Sequence, residues 1–243
     1  MAYVYANKPS GALGVGRWID RRLLGGLTCA SFREASRLAT DALRELLDER
    51  GGRETFVVDL AAGPARYLLD LLAERPRSEV RVLLRDVDAT ALRATRDAAT
   101  ARRLERIDAA VGDALDPASL ATVAHRPDIA VELGFYGMFP DGVIAAHLRD
   151  LATILSPQAL VASLQVQNPD IAHIAGVWPS RAGGRCEWRL RPLDLLLVWA
   201  SEAGFALERV RWTTGGVYCV VTLRRVEAPQ RGSGAPMAGE HGP

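Results

Sequence analysis

The sequence predicts an α/β protein built on a doubly wound, seven-stranded sheet with helices on both faces and an antiparallel last strand. Two observations lead to this fold class. Short apolar runs rich in β-branched residues alternate with amphipathic helical stretches through most of the 243 residues, a pattern typical of parallel sheets with crossover helices. The alternation closes with two strands, 207–212 and 217–223, on either side of Thr213-Thr214-Gly215-Gly216. Such a pair predicts a hairpin, which adds the antiparallel strand.

The first strand, turn and helix are the most informative stretch. Residues 56–58 form a short apolar run that reads as a buried strand, and Asp59 stands at its end. The turn Ala61-Ala62-Gly63 has side chains small enough for a ligand to approach the backbone, and a helix starts near Tyr67. The turn has one glycine where dinucleotide folds have three, which disfavours a pyrophosphate ligand. An ordinary turn without a ligand is the alternative.

The composition is that of a globular protein, with 49% hydrophobic and 24% charged residues. The formal net charge of +1 predicts neither nucleic acid nor an anionic membrane as a partner. We find no apolar run long enough to span a bilayer and no secretory signal. The cysteines Cys29, Cys186 and Cys219 fit neither a metal-site spacing nor a disulfide framework, so we expect no metal and a cytoplasmic protein.

The chain divides into three predicted parts. Residues 1–50 form an N-terminal helical segment, 51–226 the sheet domain, and 227–243 a disordered tail rich in proline and glycine. The stretch before residue 26 is rich in aromatic residues and glycine, which predicts a flexible arm or a lid over a site in the sheet domain. A helix is predicted over 30–49, with Ser31 as its cap.

Acidic residues follow the second and third strands. Asp86 comes after the strand 79–84, where a carboxylate commonly accepts hydrogen bonds from a ribose diol. Asp88 is the alternative ribose ligand, or it caps the next helix. Asp113 follows a weak third strand, 107–111, and its carboxylate can accept from an exocyclic amino group such as that of adenine. Together the acids predict a nucleoside ligand.

The fourth and fifth strands end in residues suited to a second substrate. Strand 128–133 contains Glu132 and leads into an aromatic stretch with Phe135, Tyr136 and Phe139. Aromatic faces attract cations, so these rings are candidates for a clamp on a positively charged group. Packing into the core is the alternative, and it fits Tyr136 less well than the two phenylalanines.

Polar amides and arginines follow the fifth strand. Gln165 lies in the strand 160–166 and Asn168 just after it, where substrate would bind in a sheet of this kind. The loop 176–192 carries aromatic and cationic side chains, including Arg185 and Arg191. It is either a solvated loop or a site that recognises carboxylate or phosphate.

The single-glycine turn with acids after strands two and three resembles the class I S-adenosylmethionine (SAM)-dependent methyltransferases, whose fold is Rossmann-like. The resemblance covers roughly residues 54–225 and implies SAM as cofactor. It implies that Asp59 and Gly63 hold the methionine moiety, Asp86 the ribose and Asp113 the adenine. The full set of candidate cofactor residues is Asp59, Ala61, Gly63, Asp86, Asp113, Tyr5 and Arg66.

Further motifs are similar to a bacterial family of putative methyltransferases, some of whose members are fused to hydrolase or lipid-synthesis domains. These motifs are Tyr3-Val4-Tyr5-Ala6-Asn7-Lys8-Pro9 with Gly16-Arg17-Trp18-Ile19-Asp20-Arg21, Ala61-Ala62-Gly63-Pro64 with Arg66-Tyr67, Leu84-Arg85-Asp86, and Phe135-Tyr136 with Phe139-Pro140-Asp141. This chain has Gly137-Met138 where the family has an acid, and Gln167-Asn168 where it has an aromatic–histidine pair. Both departures fall at the carboxyl edge of the sheet, so we expect the substrate or the reaction to have diverged.

The leading functional hypothesis is methyl transfer from SAM to a small-molecule acceptor, in bacterial secondary metabolism. The candidate catalytic residues at the acceptor site are Tyr136, Asn168, Gln165 and Glu132. A second hypothesis is an intramolecular reaction in which the amine of SAM displaces methylthioadenosine and forms azetidine-2-carboxylate. A third is a non-catalytic binding subunit. We expect neither a nucleic-acid nor a membrane partner, and either a monomer or a homodimer.

Overall fold

The computed structural model describes residues 2–75, 79–172 and 187–226. The strands are β1 (Thr55–Asp59), β2 (Val80–Asp86), β3 (Ile107–Val111), β4 (Ile129–Glu132), β5 (Ala159–Gln165), β6 (Phe205–Trp212) and β7 (Tyr218–Arg225). The helices are α1 (Ala2–Ala6), α2 (Leu13–Gly25), α3 (Leu27–Glu49), α4 (Arg66–Ala73), α5 (Ala89–Ala101), α6 (Pro117–Leu120), α7 (Asp141–Asp150) and α8 (Leu193–Glu202). A 3-10 turn covers Tyr136–Met138, and a π-helical turn covers Leu151–Leu155.

The strands form one seven-stranded sheet in the order β3-β2-β1-β4-β5-β7-β6. β1 pairs in parallel with β2 and β4, and β5 continues the parallel set beyond β4. β7 runs antiparallel to both β5 and β6. The predicted doubly wound sheet with an antiparallel last strand is therefore confirmed. The strand order reverses between β1 and β4, and ligands of open α/β sheets bind at that point, outside the carboxyl ends of the strands.

Each face of the sheet is covered by its own helices. α3 and α4 cover one face, where Phe32 and Leu68 pack with Val57 and Val161. α7 and α8 cover the other face, where their apolar side chains, including Leu148, pack against the alternate strand residues. Because successive strand residues point to opposite faces and both faces are covered, the central strands are mostly apolar, and charged or amide side chains stand at their carboxyl ends.

The N-terminal part of the chain is helical and its α3 helix starts earlier than predicted. α3 runs from Leu27 to Glu49 after a break at Gly26, whose backbone is extended. Ser31 was predicted as the cap, which is wrong: it lies within the helix and is 1% exposed. The apolar stripe of the helix already includes Cys29, so the helix gains buried surface by starting one turn earlier. Whether residues 1–50 act as a lid stays a prediction, as do the three domain boundaries.

Two helix ends have clear physical causes. Asp88 caps α5, since its Oδ1 accepts the N–H groups of Thr90 and Ala91 at 3.0 and 3.1 Å, as the sequence indicated. The helical stretch after β4 consists of α7 followed by the π-helical turn Leu151–Leu155. It ends at Ser156, which has a left-handed backbone (φ 54°) just before Pro157.

Among the helices of the described ranges, none combines the length and the apolar character needed to cross a membrane. The predicted tail 227–243 and most of the predicted cationic loop, including Arg185, lie outside the described residues.

Candidate functional site

The turn between β1 and α4 lies at the point where the strand order reverses. Its backbone is fixed from two neighbouring strands, because the Leu60 N–H donates to the Val131 carbonyl at 3.1 Å and the Ala62 N–H to the Arg85 carbonyl at 2.9 Å. Gly63 has a left-handed backbone (φ 50°), and no atom lies within 4 Å of the place where a Cβ would stand on it. The turn therefore offers open space above a glycine at the carboxyl edge of the sheet.

Asp86 holds this turn from the end of β2. Its Oδ2 accepts the Gly63 N–H at 2.8 Å, and its Oδ1 accepts the Asp88 N–H at 2.8 Å. The Thr95 hydroxyl of α5 donates to the Gly63 carbonyl at 3.1 Å. The structure thus brings together two of the predicted cofactor residues, Gly63 and Asp86.

Asp59 ends β1 on the face of the sheet that α3 covers. Its side chain is buried, and its Oδ2 accepts the Tyr67 hydroxyl at 2.6 Å. Its Oδ1 is also buried and has no hydrogen-bond partner among the residues that the structure describes. Burial raises the pKa of Asp59 to about 7, the hydrogen bonds from the Tyr67 hydroxyl and the Ala61 backbone N–H oppose this rise, and the nearby charges of Asp86 and Glu132 add to it. The site therefore contains a buried carboxyl group that exchanges its proton near neutral pH.

Aromatic rings from α1, α3 and β7 lie on the same face as Asp59. The ring of Tyr5 packs edge-on against Phe32 at 5.2 Å between centroids, and Phe32 packs against Tyr218 at 6.2 Å. The hydroxyl groups of Tyr5 and Ser36 are 3.1 Å apart. Burial raises the pKa of Tyr5 to about 12, with a contribution from the charge of Asp59. Tyr5, a predicted cofactor residue of the N-terminal segment, therefore lies within electrostatic reach of Asp59.

Gln165 and Asn168, at the carboxyl end of β5, are nine-tenths buried or more, each 5% exposed. Gln165 is four residues after Val161 in β5, so the two side chains point to the same face of the sheet, which is also the face of Asp59. The Oδ1 of Asn168 accepts the Thr28 hydroxyl at 3.1 Å and the Asp170 N–H at 2.9 Å. Within the described ranges, neither the Asn168 Nδ2 nor the Gln165 Oε1 has a partner. One donor and one acceptor are therefore left for a ligand.

Asp113 and Arg66 lie at the protein surface. The Asp113 Oδ1 accepts the Leu115 N–H at 2.9 Å, and the Arg66 Nε lies 3.8 Å from a carboxylate oxygen of Asp70. Arg66 is exposed, as is Asp113. Their roles at a cofactor stay predictions.

A buried arginine supports the turn that carries Asp113. Arg85 is 4% exposed and donates to the Ser119 carbonyl and hydroxyl oxygens, both at 2.8 Å. The Ser119 hydroxyl oxygen in turn accepts the Asp113 N–H at 2.9 Å. A Cβ on Gly112 would lie 2.0 Å from this guanidinium, so only glycine lets Arg85 pass.

The predicted acceptor-site residues Glu132 and Tyr136 lie on the opposite face of the sheet from Asp59. The Tyr136 hydroxyl donates to Glu132 Oε2 at 2.6 Å, and His147 Nε2 lies 2.5 Å from Glu132 Oε1. Phe135 and Tyr136 are 5% and 0% exposed and pack within the protein, as the alternative interpretation expected, and their role as a cation clamp stays a prediction. Phe135 packs on the ring of His147 at 5.4 Å. The structure shows Glu132 and Tyr136 packing the loop after β4, and their role at an acceptor site stays a prediction.

His147 is a member of this cluster that the sequence reasoning missed. It lies on the buried face of α7, among Ile144, Leu148 and Leu151. A lone polar residue within an apolar helical stripe was the available signal, since such a residue needs a buried partner. Burial lowers the pKa of His147, but the charge and hydrogen bond of Glu132 outweigh it and the net pKa is raised.

Arg191 holds the same loop from outside the sheet. Its guanidinium donates to the backbone carbonyls of Tyr136 and Phe139, and to Asp141 Oδ1 at 2.8 Å. Both interpretations of the cationic loop are wrong at this position, because Arg191 is 2% exposed and its donors bind the protein itself. Nearby, Arg189 pairs with Glu187.

A family model described as Putative methyltransferase matches residues 1–225. The chain belongs to this family. A relative in Escherichia coli strain K12, the uncharacterised protein YnbC, is 30% identical over 231 residues. The match covers 92% of this chain and 39% of that protein, so the chain spans well under half of its relative's length.

Solved structures share the fold at low sequence identity. One from Bordetella parapertussis, described as a possible exported protein, has a TM-score of 0.72 at 20% identity and covers 93% of this chain and 78% of its own. The magnesium protoporphyrin IX methyltransferase of Synechocystis PCC 6803, solved with bound SAH, has a TM-score of 0.62 at 16% identity, and the match covers 88% of this chain and 95% of that one. The [4+2]-cyclase SpnF has a TM-score of 0.55 at 16% identity, and the match covers 77% of this chain and 82% of that one. The chain therefore has the SAM-dependent methyltransferase-like fold, which other proteins use for more than one reaction.

Proposed function

We propose that this protein binds SAM at the carboxyl ends of β1 and β2 and transfers its methyl group to a small-molecule acceptor. The observation that carries the proposal is the buried, unpaired oxygen of Asp59 beside the Gly63–Asp86 hydrogen bond, at the point where the strand order reverses. A buried polar atom without a partner is rare in native proteins and commonly marks a ligand position. Family membership supports SAM as that ligand.

The residues present fit the chemical groups of SAM. Asp59 would accept from the ammonium of the methionine moiety, and Asp86 from the ribose hydroxyls, since a carboxylate has two acceptor oxygens for two adjacent donors. Asp113 would accept from the adenine amino group. The open space above Gly63 leaves the backbone accessible. When bound, SAM supplies a methyl group activated by a positively charged sulfonium.

The rest of the site would orient an acceptor and exclude water. Tyr5, Phe32 and Tyr218 provide aromatic surface on the Asp59 face, and aromatic faces attract a cationic ligand. Gln165 and Asn168 offer one acceptor and one donor, a pair that suits a small polar acceptor molecule. Holding the acceptor in line in a dry site is the main task of such an enzyme.

The binding test compares two neighbouring aspartates. Asp86→Asn removes the charge of the proposed ribose ligand, and we expect its affinity for SAM, measured by isothermal titration calorimetry, to fall by about tenfold or more, the loss of a charged hydrogen bond. Asp88→Asn is the matched control, because Asp88 caps α5 and asparagine is an equally good cap. Its affinity should match that of the wild type. A wild-type protein without SAM affinity would overturn the proposal and favour a non-catalytic subunit with another ligand.

A second candidate function is the intramolecular reaction of SAM as the substrate, and Asp59 favours it. The amine nitrogen would attack the side-chain carbon bonded to sulfur, the carbon–sulfur bond would break, and its electron pair would leave with methylthioadenosine. The amine must lose its proton, and Asp59, with a pKa of about 7 and an unpaired oxygen, is suited to accept it. The proton balance then needs no further reactant.

One experiment separates the two reactions. The purified protein is incubated with SAM alone, and the products are analysed by mass spectrometry. Methylthioadenosine with azetidine-2-carboxylate would establish the intramolecular reaction and overturn methyl transfer as the main activity. Bound but unchanged SAM would overturn the intramolecular reaction, and a panel of small nucleophiles would then be screened for SAM-dependent methylation.

A further inference from the structure

Helix α2 presents an apolar strip to solvent. Val15, Trp18, Ile19 and Leu23 are 70%, 59%, 54% and 37% exposed. Residues 15, 19 and 23 are four apart, so they lie along one side of the helix with Trp18 beside them. Leu24, which is 1% exposed, attaches the opposite side to the protein. Large apolar side chains grouped on a surface typically mark an interaction site.

The same helix has an excess of positive charge at its surface. Arg17, Arg21 and Arg22 are all exposed. Asp20 is the only acidic residue in 2–26, and its carboxylate accepts the N–H groups of Ser10 and Gly11 at 2.7 and 2.6 Å. With Lys8, this stretch carries four basic residues against one acid, whereas the whole chain has a net charge of only +1. The positive charge is therefore local.

We propose that α2 docks the protein onto an anionic phospholipid bilayer, lying in the plane of the membrane interface. Around the helix, Arg21 borders the apolar strip next to Trp18 and Arg22 lies within it, whereas Arg17 lies on the side of Leu24. An aromatic and aliphatic side with adjacent arginines has the chemistry of interfacial helices. The apolar strip would enter the boundary between headgroups and acyl chains, with Trp18 at headgroup level, and Arg21 and Arg22 would bind lipid phosphates. The inference does not depend on the reaction that the site performs.

The charge pattern favours an anionic surface over a second copy of the chain. Arg22 lies between Val15 and Trp18 around the helix, and its guanidinium lies 5.8 Å from the Trp18 ring centre. A two-fold interface pairs the same surface with itself, so it would bring the arginines of the two copies together. Like charges at an interface oppose association, whereas lipid phosphates neutralise them.

Vesicle co-sedimentation tests the proposal. We expect the wild type to bind vesicles of mixed phosphatidylcholine and phosphatidylglycerol about tenfold or more tightly than vesicles of phosphatidylcholine alone, and to lose this preference at high salt. Trp18→Ser with Ile19→Ser should abolish binding, and Arg21→Gln with Arg22→Gln should remove the preference for the anionic lipid. The matched control is Leu207→Ser with Trp212→Ser, which removes apolar side chains that are 40% and 46% exposed on β6.

Each contrary result has a defined meaning. Binding that the α2 variants leave unchanged, binding that the β6 control also loses, or no binding by the wild type would overturn the proposal. Light scattering on a sizing column gives the remaining outcome: a dimer that the Trp18→Ser, Ile19→Ser variant converts to a monomer would assign α2 to a second copy. Circular dichroism of every variant establishes that the fold is intact, and the arginine variant, which leaves the apolar strip in place, tests the charge separately.

Discussion

Asp59 and Glu132 are two buried carboxylates at the ends of the adjacent strands β1 and β4, and they differ in the number of hydrogen bonds that they accept. Glu132 uses both oxygens, one with the Tyr136 hydroxyl and one with His147. Asp59 accepts the Tyr67 hydroxyl through Oδ2, and its Oδ1 has no partner at hydrogen-bonding geometry among the described residues, although the Ala61 N–H lies close enough to lower the pKa of the carboxyl. A buried polar group that is fully bonded stabilises a fold, whereas one that is half bonded destabilises it unless a ligand completes it.

The two groups also differ in charge. Glu132 faces His147, whose raised pKa reflects the favourable charge of its partner. Among the described residues no cationic group contributes to the pKa of Asp59, and burial raises that pKa to about 7. Glu132 therefore has the properties of a fully bonded structural group, although the Nδ1 of its partner His147 has no hydrogen-bond partner in the described ranges, and Asp59 has those of a binding group.

Glu132→Ala is expected to have the largest effect on stability. Removing one partner of a buried, hydrogen-bonded pair leaves the other uncompensated, which costs ~3–5 kcal/mol. Urea unfolding at neutral pH measures the free energy of unfolding. The exposed Glu202 of α8 provides the control, because Glu202→Ala should change it by less than about 0.5 kcal/mol. A loss below about 1 kcal/mol in Glu132→Ala would refute the structural interpretation of this cluster.

Asp59→Asn is expected to raise the free energy of unfolding, whereas Glu132→Ala lowers it, and the size of this gain should depend on pH. Between pH 4 and 7 the unfolded chain releases the Asp59 proton while the folded protein retains it, so the wild type loses stability as pH rises. A pKa raised from 3.8 to about 7 corresponds to at most ~4 kcal/mol. Asparagine does not ionise, so the variant does not lose this stability as pH rises, and its amide oxygen still accepts a hydrogen bond from the Tyr67 hydroxyl.

The measurement is urea unfolding of the wild type and Asp59→Asn from pH 4 to 8. The variant should match the wild type at the acidic end and exceed it above pH 7, while its affinity for SAM falls. A difference in unfolding free energy that does not change with pH would contradict the raised pKa. A variant that keeps full SAM affinity would contradict the assignment of Asp59 to the ligand.

The fold could be predicted because its determinants are local. Alternating strands and helices, the turn at Gly63 and the hairpin around Gly215 are written in consecutive residues, and the strand order follows from the rules of parallel sheets. The error at Ser31 has a local cause as well: a polar residue near a helix start was read as a cap, although the apolar stripe of α3 begins earlier.

The candidate site could be predicted only in part, because several of its contacts join distant residues. Asp59, Gly63 and Asp86 lie at or just after predicted strands, so they could be identified from the sequence. The pairing of Glu132 with His147 crosses 15 residues, and that of Arg191 with Tyr136 crosses 55. Tyr136 lies in the 3-10 turn after β4, and its burial depends on contacts with Glu132 and the distant Arg191 that the local sequence does not show.

A matched pair of tyrosine variants gives the smallest expected effect and compares the two faces directly. Tyr67→Phe and Tyr136→Phe each remove one hydroxyl that donates to a buried carboxylate at 2.6 Å. Each should cost ~1–3 kcal/mol at pH 8, the range for an unsatisfied buried group.

At pH 5 the cost of Tyr67→Phe should be smaller, because Asp59 is then neutral and needs its partner less. The cost of Tyr136→Phe should not fall in this way, because the raised pKa of His147 favours its positive charge next to the Glu132 Oε1 at pH 5. Urea unfolding of both variants at the two pH values measures the difference. Equal pH dependence in the two variants would show that Asp59 and Glu132 have the same electrostatic surroundings, and the distinction between a binding face and a structural face would then fail.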